Sequence, residues 1–80
     1  MALKSKEYSG NIILCEYNSS NLTHSTYDTT NSILVITFKN GQQYKYFDVP
    51  HEIFAELNIA ESQGKYLNNN INKNFKYEKI

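Results

Sequence analysis

Eighty residues with eight basic and eight acidic side chains carry a formal net charge of zero, which leaves room for one small domain. The neutral balance argues against a surface built to follow a phosphate backbone along its whole length. The lone Cys15 excludes an internal disulfide, and with no Cys or His at ligand spacing it also excludes an ordinary zinc site.

A chain this short buries only about 60% of its unfolded surface. With no disulfide or metal to hold it, self-association is the expected support, so a homo-oligomer is expected. The opening "MALKSKEYSG" has no apolar core of the kind a signal peptide needs, and no segment is long enough to cross a membrane. A cytoplasmic protein with no membrane partner is therefore expected. The sequons at Asn18 and Asn21 are then accidental.

The first strand expected is "NIILCEY" (11–17), rich in β-branched and aromatic residues, followed by the weaker "THSTYD" (23–28). "SILVITFK" (32–39) has the strongest pattern, with Leu34, Ile36 and Phe38 on one face and Ile33, Val35 and Thr37 on the other. Asn40-Gly41 is a hairpin signal, and "QYKYFD" (43–48) is the returning strand. The length of this turn decides where the tyrosines go. In a two-residue turn Lys45 joins the apolar face. In a three-residue turn with a Gly bulge, Ile36 lies opposite Tyr44, and Tyr44 and Tyr46 join that face instead. Burying an unpaired lysine is costly, so the bulged turn is expected, with Tyr44 and Tyr46 in the core.

"VPHEIFAEL" starts a helix, with Pro50 at its first position and Asp48 and Glu52 near its positive end. Val49, Ile53, Phe54 and Leu57 form the stripe that covers the sheet. A second helix is expected from about Ser62, its N-cap, with Leu67, Ile71 and Phe75 as the buried face. Its end, "KNFKYEKI", also alternates aromatic with charged residues, so helix and strand both remain open for 72–80. The expectation is an α+β fold: an antiparallel meander of three or four strands, followed by two helices packed on one face.

"SSNLTHSTYD", "LVITFKNGQQYKYFDVP" and "FAELNIAESQGKYLNNNI" together resemble the KTSC domain. The resemblance is carried by residues such as Ser20, Tyr27, Gly41, Tyr44, Tyr46, Pro50, Ser62, Gly64, Tyr66 and Asn68. It divides the chain into an N-terminal extension, 1–18, with an extra strand, and a KTSC-like domain, 19–80. The domain is named from the C-terminus of some lysyl-tRNA synthetases, and it also stands alone in bacteria and phages. The resemblance implies a role in RNA binding and carries over no catalytic residues.

"SQGK" is not a P-loop, because Ile59 stands where the first glycine belongs and Tyr66 follows the lysine. It admits two readings. Ser62 as N-cap, Gly64 in the first turn and Lys65 beside it make a helix start that accepts an anion, with Tyr66 and Asn69 adjoining. Alternatively, Ser62 only caps and Gly64 only lets two helices approach. No base–nucleophile pair or metal cluster stands out, so no catalytic residue, metal or cofactor is assigned and an enzyme is not expected. His24, His51 and Cys15 read as surface, surface and core respectively. The leading expectation is a non-enzymatic binder of an anionic nucleotide-type ligand, acting as a sequestering oligomer. An RNA-binding module and a protein–protein interaction domain are the alternatives.

Overall fold

The computed structural model describes residues 3–80. Its sheet has strands β1 (Leu3–Ser9), β2 (Ile12–Tyr17), β3 (Leu22–Asp28), β4 (Ile33–Phe38), β5 (Gln43–Tyr46) and β6 (Tyr77–Lys79). They lie in chain order, each antiparallel to its neighbour. The α+β class stands, but the sheet has six strands where three or four were expected. The two additions are at the edges. At one edge, β1 comes from a stretch without an apolar alternation and joins β2 through Gly10, whose φ of +60° suits a two-residue hairpin turn. At the other, the C-terminal segment returns as β6 beside β5, which settles 77–79 as strand.

The β4–β5 turn is the bulged one. Ile36 lies opposite Tyr44, Phe38 N–H donates to the Gln42 carbonyl at 2.9 Å, and Gly41 has φ of +91°. Leu34, Ile36 and Tyr46 are buried on the helix side of the sheet. Lys45 sits opposite Val35 on the other face, with Nζ 5.6 Å from the centre of the Phe47 ring.

One helix, α1 (His51–Ile59), lies on the inner face. Pro50 is its N-cap, so the helix starts one residue later than expected, and the Pro50 carbonyl accepts from Ile53 and Phe54 N–H. Phe54 stacks on Tyr27 at 4.8 Å between ring centres, and the Tyr27 hydroxyl donates to the Val49 carbonyl at 2.6 Å. The second helix, α2 (Gln63–Tyr66), continues as a π turn over Leu67–Ile71, closed by Asn72 N–H on the Leu67 carbonyl at 2.8 Å. Leu67 and Ile71 are buried as expected. Phe75 lies beyond the helix and packs, half-buried, against the core.

Two buried amides hold the layers together. Gln63, fully buried, donates from Nε2 to the Leu57 and Ala60 carbonyls at 3.2 and 3.1 Å, and so serves the C-terminal end of α1, whose last carbonyls lack helical partners. Asn58 accepts at Oδ1 from the Tyr17 hydroxyl at 2.6 Å, and that hydroxyl also lies 2.7 Å from Ser25 Oγ. Burial raises the Tyr17 pKa, and burial likewise raises that of the Cys15 thiol beside this group. Cys15 is therefore a core residue, but one in polar company. No helix among the described residues is long and apolar enough to cross a membrane.

Candidate functional site

Three loops and α2 meet over the Phe38 end of β4. The β2–β3 loop is tightened by Ser19, whose Oγ accepts from Asn21 and Leu22 N–H at 3.2 and 3.3 Å. Lys39 N–H donates to the Asn21 carbonyl at 2.8 Å, which ties that loop to the β4–β5 hairpin. The Gly41 bulge leaves Lys39 and Asn40 projecting at the hairpin tip, both exposed. Opposite them, Ser62 caps α2, its Oγ accepting from Lys65 N–H at 3.3 Å.

Between these walls is a cleft of about 630 Å³. Ser20 and Asn21 line it from one loop, Phe38, Lys39 and Asn40 from the hairpin, and Ser62, Gly64 and Lys65 from the start of α2. Leu67, Asn68 and Asn72 complete the wall. Its size falls in the usual range for small-molecule sites, about 300–1,000 Å³. Among the described residues, no acidic side chain lines it and two lysines do.

Of the five residues singled out from sequence, Ser62, Gly64 and Lys65 reach this cleft and the other two do not. Tyr66 turns toward α1 and donates its hydroxyl to Glu56 Oε1 at 2.6 Å. Its pKa is pushed up to about 12, first by burial and then by that carboxylate. Asn69 is exposed and absent from the wall. The neighbour that Gly64 accommodates is not another helix: a Cβ there would come within 2.8 Å of Asn21 Nδ2. Gly64 thus lets α2 close on the β2–β3 loop, and because the Asn21 side chain is exposed and flexible, the contact shapes the cleft more than it holds the fold.

Lys39, Asn40, Asn21 and Asn72 were not anticipated as site residues. Lys39 and Asn40 read locally as turn residues, and nothing local links them to α2. Ser20 and Asn68 stood among the residues carrying the family resemblance, the one signal that pointed to this wall.

A family model described as the KTSC domain matches residues 18–75. That span contains every residue lining the cleft and excludes β1, β2 and β6. A protein of Tsukamurella paurometabola is 36% identical over 58 residues, which is 72% of this chain and 87% of that protein. The crystal structure of a KTSC domain protein from Yersinia pestis matches with a TM-score of 0.78 at 28% identity, covering 86% of this chain and 97% of that one.

Proposed function

This chain belongs to the KTSC domain family, and from that premise we propose that its cleft is a non-enzymatic binding site for an anionic nucleotide-type ligand. The supporting observation is the charge of the wall. In a chain of zero net charge, the cleft carries Lys39 and Lys65 and no carboxylate, with amide and hydroxyl groups of Asn21, Asn40, Ser62 and Asn68 around them. Lysines on two converging segments offer an anion charge-assisted hydrogen bonds from both sides.

Titration of the purified protein with mononucleotides, cyclic nucleotides and a short RNA tests this. Lys65→Ala and Lys39→Ala should each weaken binding by about 1–3 kcal/mol and leave the melting temperature close to wild type, because both side chains are exposed. Unchanged affinity in both variants would leave Ser62 as a cap and Gly64 as room for Asn21. RNA binding is the second reading, favoured by the exposed Lys73, Lys76 and Lys79 beside the aromatic residues of the C-terminal segment. It predicts a steep loss of affinity with salt, because several phosphates are neutralised together, whereas a single small ligand in the cleft gives a shallow one. A protein–protein role predicts neither.

A cytoplasmic sequestering role is best served by an assembly, and the sheet supplies an edge for one. The "NIILCEY" strand does not offer that edge, since β2 is paired on both sides. The free long edge is β1, seven residues with one side of its backbone unpaired among the described residues. Sedimentation at micromolar concentration should give a homo-oligomer; a monomer persisting at high concentration would refute it.

A further inference from the structure

Next to the lysine-lined cleft is a smaller recess of about 230 Å³ that shares Phe38, Asn40 and Asn72 with it. Its remaining lining is Gln42, Tyr44, Tyr46 and Tyr77, so among the described residues it holds no charged side chain. The aromatic residues form a connected wall. Phe38 meets Tyr44 edge-on at 5.4 Å between ring centres, and Tyr77 lies 5.6 Å from Tyr44 and 5.3 Å from Tyr46. Tyr46 is buried and its hydroxyl is committed to Asn72 Oδ1 at 2.6 Å, so it serves as backing. Tyr77 is 46% exposed and Phe38 and Tyr44 are half-buried, so parts of their surfaces remain open to an occupant.

Polar groups stand at the rim. Asn40 Oδ1 accepts from Gln42 N–H at 3.0 Å, and the Asn40 amide nitrogen has no hydrogen-bond partner among the described residues. The Gln42 side chain has no hydrogen-bond partner among the described residues. Amides of this kind can pair with both donors and acceptors on the edge of a planar heterocycle.

The two lobes thus differ in chemistry and adjoin. One is cationic and the larger; the other is uncharged, aromatic and smaller than the usual ligand site, the size for part of a molecule. We propose that the recess seats the base of the ligand, stacked on Tyr77 beside the Phe38–Tyr44 pair, while its phosphate lies between Lys39 and Lys65. This rests on the anion reading of the larger cleft and narrows it, from anions in general to phosphates that carry an aromatic base. It also gives β6 a role. That strand has three exposed residues and lies outside the family match, yet it delivers the ring that completes the recess.

The test is calorimetric titration of the full chain with AMP, UMP and ribose phosphate, beside aromatic NMR resonances of Tyr77. AMP should bind about tenfold or more tighter than ribose phosphate, the difference a stacked base contributes, and UMP should fall between them because its ring is smaller. Tyr77→Ala should remove that advantage while leaving ribose phosphate affinity unchanged, Tyr77→Phe should restore it, and Lys65→Ala should weaken AMP and ribose phosphate alike. In the wild type, the Tyr77 ring resonances should shift with AMP and not with ribose phosphate, a readout that holds even if Tyr77→Ala folds poorly. Equal affinity for AMP and ribose phosphate, or Tyr77 resonances unmoved by AMP, would overturn the base seat and leave the anion site standing. Failure of all three probes to bind would overturn both.

Discussion

Replacing Tyr46 by Ala should lower the unfolding free energy by about 3 kcal/mol or more, the usual cost of truncating a buried aromatic residue. The ring is 1% exposed, lies against Tyr77 and shares the inner face with Leu34 and Ile36. Burial raises its hydroxyl pKa, and loss of that hydroxyl also leaves Asn72 Oδ1 without its donor. For a domain of this length the melting temperature should fall by roughly 12 °C or more. The neighbouring Lys45→Ala should change stability within about 0.5 kcal/mol, because that side chain lies on the opposite, open face. Chemical denaturation of the two variants compares them directly. A larger loss for Lys45→Ala would mean that the hairpin pairs in the other register.

Asn58→Asp should cost about 3–5 kcal/mol at neutral pH. A domain of this size has about 4–12 kcal/mol in total. Asn58 is 3% exposed; its Oδ1 accepts from Tyr17, and its Nδ2 has no hydrogen-bond partner among the described residues, so a carboxylate there would be buried with one hydroxyl donor to compensate it. Burial raises the pKa of such a carboxyl above its unfolded value of about 3.9. The sign follows. Below about pH 3.9 the acid is neutral in both states and the penalty is absent. As pH rises from there to the raised folded value, the unfolded chain gives up its proton first and stability falls. Urea melts of the variant across pH should show that fall, while Asn58→Leu, which leaves the Tyr17 hydroxyl its contact with Ser25, should show no such slope. A flat profile for Asn58→Asp would mean that water reaches the site.

What could be read directly from sequence was whatever depends on near neighbours along the chain. The alternation in 32–39, the Asn40-Gly41 turn and the cost of burying Lys45 together specified the bulged register, since a hairpin is a local structure. The Ser62 cap and the Phe54 and Leu57 stripe were legible for the same reason. The edge strands were not. In β1, Lys6 and Tyr8 point to the inner side but stand exposed, so nothing selects apolar residues there, and charged residues on an edge discourage indiscriminate pairing. In β6 three residues are too few for a period to declare itself. Asn58 and Gln63 belong to types that are mostly exposed, so their burial has no local signal; only packing against Tyr17 and against the end of α1 makes them buried.

The site divides the same way. Sequence by itself determined that Ser62, Gly64 and Lys65 form one turn at a helix start, because hydrogen bonding within a turn is local. Only the tertiary structure decided that Lys39 and Asn40 face that turn, that Tyr66 and Asn69 leave it, and that Tyr77 joins the neighbouring recess. Those placements depend on strand pairings and on the Lys39–Asn21 hydrogen bond, contacts between segments far apart in the chain that no local pattern encodes.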